Sequence, residues 1–172
     1  MSPKFTLRPA RATDARKIAE LVHPYSNHHI INAKDLISYF EDIQEFTVVE
    51  TTTPEGEVLL VGCGALHVMW DDIAEVRTLA TRMGYHRQGI GDLVLKDLVR
   101  RAREMGLQRL FCLTFQLDFF RAHGFYEISG TPVGTDVYAE MLRSHDDGVA
   151  EFLDLARVQP NTLGNTRMLL DL

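Results

Sequence analysis

Between residues 73 and 106 the sequence changes its period twice, and few folds accommodate that. Ile73-Ala74-Glu75-Val76-Arg77-Thr78-Leu79-Ala80-Thr81 reads as a strand and His86-Arg87-Gln88-Gly89-Ile90-Gly91 as a loop. The residues beyond place Leu93, Val94, Leu98, Val99, Ala102 and Met105 on one broad helical face, with Gly106 as the stop signal. A strand that passes through glycines into a long amphipathic helix frees several backbone N–H groups to converge on an anion. A dinucleotide fingerprint would need glycine where Val94 stands, and a P-loop would need a Gly-Lys-Ser/Thr ending, which is absent. On these residues alone, the loop is either a pyrophosphate cradle or a glycine-rich helix start used for tight packing.

The flanking segments fit a sheet with helices on its faces. Residues 5–9 alternate as a short strand closed by Pro9. Thr13 is expected to cap the next helix, with Asp14 in its first turn, Ile18, Ala19, Leu21 and Val22 as its buried stripe and Pro24 as its end. Leu36, Ile37, Phe40 and Ile43 recur at helical spacing over residues 34–43. Residues 46–51 and 58–68 read as two arms of a hairpin around Pro54-Glu55-Gly56. Gly62 and Gly64 in the second arm signal a bend or a close packing contact. Then come a buried strand at 108–114, a short helix at 117–122, a strand after His123-Gly124-Phe125, helices near 136–143 and 148–155, and a closing strand at 166–170. No repeat or linker interrupts the pattern, so residues 1–172 are expected to form one domain of the α+β class around a mixed, mostly antiparallel sheet.

The charge balance, 24 acidic against 18 basic residues for a net −6, offers no uniform basic field and argues against nucleic acid as a partner. No window reaches the roughly 18 consecutive apolar residues of a membrane span. No signal peptide is visible at the N-terminus. Cys63 and Cys112 lie in apolar runs without ligand spacing, which fits a reducing cytoplasm and not structural zinc. Asn27-His28-His29 and Asp146-Asp147 carry metal-ligand atoms, but adjacent residues seldom converge on one ion, and both are read as solvated loops with no metal site.

The order of these parts resembles the GNAT superfamily of acetyl-CoA-dependent N-acetyltransferases over nearly the whole chain. The family's loop motif, Gln/Arg-x-x-Gly-x-Gly/Ala, corresponds to His86-Arg87-Gln88-Gly89-Ile90-Gly91, with His86 departing from the first position. Further segments are similar to the acetyltransferase domain of the N-acetylglutamate synthases, especially the short, stand-alone actinobacterial type. They are Glu75-Val76-Arg77-Thr78-Leu79-Ala80, Leu110-Phe111-Cys112-Leu113-Thr114, Phe119-Phe120-Arg121-Ala122-His123-Gly124-Phe125 and Asn165-Thr166-Arg167-Met168-Leu169-Leu170.

The resemblance implies a GNAT fold with a V-shaped splay between the strand ending at Thr81 and the strand ending at Thr114. It also implies acetyl-CoA as co-substrate, no metal, a small amino acid as partner and a homodimer. Leu79, Ala80 and Thr81, the loop residues 86–91, Thr114 and Phe120 would line the acetyl-CoA site, with a main-chain N–H near Leu79 or Ala80 facing the thioester oxygen. Glu75 would be the base that deprotonates the α-ammonium of glutamate or glutamine in the first step of arginine biosynthesis, with His67 as a second candidate. Attack would be direct, through a tetrahedral intermediate. The family's general-acid tyrosine is replaced by Phe120. Arg8, Arg77 and Arg167 are expected to meet the acceptor's carboxylate, and Thr78 to hydrogen-bond it. Two other readings stay open: a GNAT acting on another amine, such as a protein N-terminus or an aminoglycoside, and a non-catalytic acetyl-CoA-binding or sensing domain.

Overall fold

A computed structural model describes residues 4–28, 30–31, 34–155 and 165–172. Among the described residues seven strands form one sheet: β1 (Thr6–Pro9), β2 (Phe46–Thr52), β3 (Val58–Val68), β4 (Ile73–Thr81), β5 (Arg109–Thr114), β6 (Tyr126–Glu127) and β7 (Thr166–Asp171). Their spatial order is β1-β2-β3-β4-β5-β7-β6, and only β4 and β5 run parallel. The helices are α1 (Ala15–Asn27), α2 (Leu36–Glu41), α3 (Ile90–Glu104), α4 (Leu117–Ala122), α5 (Thr135–Met141) and α6 (Asp147–Phe152). This is the mixed sheet with flanking helices that the alternation of periods implies.

The period of two along the strands sorts the core into layers. Val49, Ala74, Val76, Leu110, Cys112, Met168 and Leu170 point to the face covered by α3 and α4, where they pack on Val94, Leu95, Leu98 and Phe120. On the other face Phe46, Val48, Cys63 and Ala65 pack under α1 and α2, while Ile73, Phe111 and Leu169 pack under α5 and α6. Glu75 and Arg77 follow Ile73 at alternate positions of β4, so they emerge between those two helical pairs.

Several local expectations change in the folded chain. Thr13 lies inside a 3-10 turn over Ala12–Asp14, and Pro24 lies inside α1 instead of ending it. Asp14 stands at the start of α1 as expected, and it is buried: its carboxylate accepts Arg8 Nη1 at 2.7 Å, Arg8 Nη2 at 3.1 Å and the Arg11 N–H at 2.7 Å. Burial would raise its pKa, but those donors outweigh that and hold it below the usual carboxylate range. In α2 the buried residue is Tyr39, while Leu36, Ile37 and Phe40 remain exposed. In α3, Leu93 is exposed and Leu95 takes a core place, and Met105, just past the helix end, is exposed as well. Two free cysteines, Cys63 and Cys112, are buried. Among the described residues no helix is long and apolar enough to cross a membrane.

The glycines of β3 set how closely α3 approaches the sheet. A Cβ at Gly64 would stand 2.6 Å from Val94 Cγ1, 3.1 Å from Leu79 Cδ1 and 3.2 Å from Leu98 Cδ1, and one at Gly62 would stand 2.3 Å from Ile90 Cγ2. The close contact is thus with the first three turns of α3 and with β4. Gly64→Ala should destabilise the protein by about 1–3 kcal/mol through overpacking. Urea denaturation with an unchanged slope is the measurement, and unaltered stability would show that α3 has room to retreat.

Candidate active site

The ladder between β4 and β5 stops early. Ile73 pairs with Arg109, Ala74 with Leu110 and Glu75 with Phe111, and no pairing continues to Leu79, Ala80 or Thr81 on one side or to Thr114 on the other. Beyond Glu75 the two strands therefore part, leaving main-chain groups of β4 on the side facing β5 without a ladder partner. The other edge of β4 is irregular at the same level. Arg77 pairs with Ala65 and Ala80 with Cys63, so Thr78 and Leu79 on β4 bulge opposite Gly64. Thr78 takes a φ of +53°, a left-handed conformation strained for a β-branched residue. The bulge interrupts the β3 ladder at Thr78 and Leu79, and the Cys63 thiol of β3 donates to Thr78 O at 3.4 Å. Thr114, at the end of β5, is buried and its hydroxyl accepts the Gln116 N–H at 2.8 Å.

At the outer end of the split lies the start of α3. Gly89 has a φ of +80° and Arg87 of +61°, which turns the chain sharply into the helix. The first N–H of α3 to find a carbonyl in the helical pattern is Leu93, bonded to Gly89 O at 3.0 Å, so the donors of the preceding turn face outward from the helix end. Ile90 is buried against Gly62 and anchors that turn, while Arg87, Gln88 and Gly89 are exposed. The main chain at Gly91 has the Phe119 ring close by, 3.4 Å from where a Cβ would sit. His86 is exposed, and its Nε2 lies 3.1 Å from the hydroxyl of Tyr25 on α1, which in turn donates to Thr81 O. His123 bridges α4 and α3, with Nε2 2.7 Å from Asp92 Oδ1 and Nδ1 2.8 Å from Phe119 O.

At the inner end stands Glu75, buried and directed to the face between the two helical pairs. Arg77 Nε donates to its Oε2 at 2.6 Å. Burial drives the Glu75 pKa up, and the attraction of Arg77 only partly offsets it, so the net shift is upward. For Arg77, burial works against the cation, but Glu75 and Asp146 outweigh it and raise its pKa. Asp146 accepts both terminal nitrogens of Arg77 and also the Val149 N–H at 2.8 Å as the N-cap of α6. Against the opposing effect of burial, those donors bring Asp146 down to about 2. His67 pairs in register with Glu75 and shares its face, with Nδ1 2.6 Å from Glu45 Oε1. Glu151 of α6 is pushed up to about 7 by burial and by the charge of Glu75.

The structure thus borders the parting of β4 and β5 with Glu75, Thr78, Leu79, Ala80 and Thr81 on one strand and Thr114 on the other, sets Arg77 beside Glu75, and ties His86 of the loop 86–91 to Thr81 through Tyr25. It does not bring Arg8 there. That side chain is on the edge strand β1, held by Asp14 and by Glu50 Oε2 at 3.0 Å. Arg167 lies on β7 with its guanidinium donating to the carbonyls of Gly130, Glu151 and Phe152 and stacked 5.0 Å above the Phe111 ring. Phe120 is buried in an aromatic cluster with Phe119 and Phe125. Asp146, read from sequence as part of a solvated loop, is instead a helix cap and an ion-pair partner, and an aspartate two residues ahead of Gly148 and a helical run was the signal for the cap. His29 of the other cluster lies outside the described residues. Among the described residues no group of three or more His, Cys, Asp or Glu could hold a metal ion. Tyr25 and Gly148 were not legible as site residues, because their contacts join segments far apart in sequence.

The sequence profile described as the Acetyltransferase (GNAT) family matches residues 14–130. An amino-acid acetyltransferase of Mycobacterium tuberculosis is 49% identical over 164 residues, 95% of this chain and 92% of that one. An amino-acid acetyltransferase of Vibrio vulnificus is 29% identical over 130 residues, and the match covers 74% of this chain but 28% of that longer one. The crystal structure of Rv2747 from Mycobacterium tuberculosis, in complex with CoA, superposes with a TM-score of 0.91 at 48% identity, covering 97% of this chain and 99% of that one. N-acetylglutamate synthase from Neisseria gonorrhoeae, complexed with coenzyme A and N-acetyl-glutamate, shares the fold at a TM-score of 0.74 and 21% identity, with 100% of this chain covering 36% of that one. A cleft opened between parallel strands, closed at one end by a glycine-turned helix start and matched by this profile over most of its length, leads to one conclusion: the chain belongs to the acetyltransferase (GNAT) family.

Proposed function

We propose that this chain is an acetyl-CoA-dependent amino-acid N-acetyltransferase that acetylates the α-amino group of L-glutamate or L-glutamine, the entry reaction of arginine biosynthesis. The observation that carries the reading is the parting of β4 and β5 at Glu75, which sets a buried carboxylate at one end of a slot and outward-facing helix N–H groups at the other. The relative of nearly equal length that is 49% identical is named an amino-acid acetyltransferase, which supports the acceptor class.

The chemistry follows from those positions. Main-chain N–H groups of residues 88–91 would take the pyrophosphate, with His86 and Arg87 beside them. The unpaired edges of β4 and β5, from Leu79 to Thr81 and at Thr114, would take the pantetheine arm by strand-like hydrogen bonds. The acceptor enters from the opposite side of the sheet edge, past Glu75. A protonated amine has no lone pair, so Glu75 accepts its proton, directly or through a water, before attack on the thioester carbon. A main-chain N–H at the bulge, at Leu79 or Ala80, faces the negative charge that grows on the thioester oxygen. Phe120 offers no proton to the departing sulfur, and a thiol pKa of about 8.5 makes its departure as thiolate tolerable.

The direct test is release of free CoA thiol from acetyl-CoA with each candidate amino acid. Saturable turnover with glutamate or glutamine is expected, and binding of acetyl-CoA without turnover on either would replace the enzyme reading with a binding one. Faster turnover on a peptide N-terminus or an aminoglycoside would replace the acceptor.

Glu75 also has a pH signature. Its pKa is raised, and it accepts a proton only when ionised, so kcat/KM should fall as the pH drops through a limb lying above the ordinary glutamate range. Glu75→Gln should lower kcat by about 100-fold or more, within the usual contribution of a general base, and should abolish that limb. Unchanged turnover in this variant would remove Glu75 from the mechanism.

A further inference from the structure

Arg77 has three side-chain nitrogens, and the fold occupies all of them. Nε donates to Glu75 Oε2 at 2.6 Å, Nη1 to Asp146 Oδ2 at 3.0 Å and Nη2 to Asp146 Oδ1 at 2.6 Å. The bidentate fork points at Asp146, and the Arg77 side chain is only 7% exposed. A cation committed in this way to two carboxylates is not presented to a third.

The main chain of α6 adds a second constraint. A Cβ at Gly148 would stand 2.1 Å from Arg77 Nη2 and 2.4 Å from its Cζ, so the guanidinium lies against the backbone where only glycine leaves room. Asp146 is simultaneously the N-cap of α6, through the Val149 N–H. The start of α6 is therefore fastened to β4 by the same ion pair that grips Glu75.

We infer that Arg77, Asp146 and Gly148 form a positioning clamp that holds the Glu75 carboxylate at the cleft, so that the start of α6 aims the acceptor-side base. This rests on the assignment of Glu75 as the base. Arg77 then acts through Glu75 and not on the acceptor's carboxylate. The ionisable groups around Glu75 are Arg77 on its own strand, His67 on β3, Arg167 on β7, and Asp146 and Glu151 from the α6 segment, with the Cys112 thiol of β5 behind it on the opposite face of the sheet. Within this set Arg77 favours the ionised carboxylate and Asp146 opposes it, so removing each should move Glu75 in opposite directions.

The test is kcat/KM against pH for the full chain with Arg77→Gln, Asp146→Asn, Arg77→Lys and Gly148→Ala, using acetyl-CoA and whichever amino acid is turned over, with a thermal melt for each variant. Arg77→Gln should raise the acid limb by about half a pH unit or more, and Asp146→Asn should lower it. Arg77→Lys keeps the charge but loses the fork, and Gly148→Ala displaces it. Both should cut kcat by about 10- to 100-fold while the acetyl-CoA KM stays within about 2-fold, the pattern of a misplaced catalytic group. If Arg77→Gln does not fold, Arg77→Lys and Asp146→Asn carry the comparison.

A fixed limb in both charge variants overturns the clamp, as does a loss confined to the KM of the amino acid, which would make Arg77 the acceptor's ligand. Wild-type turnover in Glu75→Gln removes the base assignment and the clamp with it. An inactive Glu75→Gln with immobile limbs in the other variants removes the clamp alone.

Discussion

Everything distinctive in this molecule follows from a parallel ladder that ends at the pairing of Glu75 with Phe111. A parallel pair in the middle of a sheet ordinarily continues, because each abandoned N–H and C=O needs another partner. Here the continuation is prevented from the other side of β4. The bulge at Thr78 and Leu79 and the left-handed backbone of Thr78 turn the strand away from β5, while β3 keeps hold of it through Ala80 and Thr81. The close seat of α3 on Gly62 and Gly64 supports that arrangement, since Val94 and Leu79 both lean into the space that a side chain at Gly64 would take. The strain at one residue is thus maintained by packing on both of its neighbours, which is how an exposed main-chain edge persists inside a well-packed sheet.

The second constraint is electrostatic. The chain as a whole is acidic, yet buried Glu75 and Arg77 and half-buried Asp146 are arranged as a line that ends at the first turn of α6. Burying such a set stabilises little by itself, because desolvation offsets most of the attraction, while removal of one member strands the others. A line of this kind is better understood as fixing geometry than as adding stability. It joins the β4/β5 cleft to helices that also meet the sheet through the cluster of Ile73, Phe111, Phe152 and Leu169 and through Arg167 of β7.

The strand periods, the β4 to α3 transition and the closing strand were all legible in the sequence, because each is written in consecutive residues. The same holds for the turn of the loop 86–91 into α3 and for the place of Glu75 on β4, which are local to that transition. What was not legible depended on pairings across the fold. Pro24 reads as a helix stop, but it stands within an α1 anchored by Ile18, Leu21 and Val22, and packing overrides the local preference. The apolar stripe of α2 suggests burial of Leu36, Ile37 and Phe40, whereas the helix turns Tyr39 inward toward Phe46. The three arginines read as carboxylate receptors because an isolated strand arginine needs an anion, and the chain itself supplies partners: Asp14 and Glu50 for Arg8, Glu75 and Asp146 for Arg77, and main-chain carbonyls for Arg167. Composition cannot say whether the partner of a buried cation is a ligand or a neighbour 69 residues away.

The phenylalanine at position 120 belongs to the same logic. Phe120 is 5% exposed, with the Phe119 ring edge-on at 5.2 Å and the Phe125 ring at 5.1 Å. A dry aromatic cluster of this kind contributes packing and adds no donor, and a hydroxyl left unpaired in it would cost about 1–3 kcal/mol. The cluster also buttresses α3, since the Phe119 ring closes on Gly91 and His123 ties Phe119 O to Asp92. The α4 segment therefore supports the loop end of the cleft by shape and hydrogen bonding instead of supplying a proton. Under the proposed function, that division leaves proton chemistry to the Glu75 end of the slot and anion binding to the α3 end.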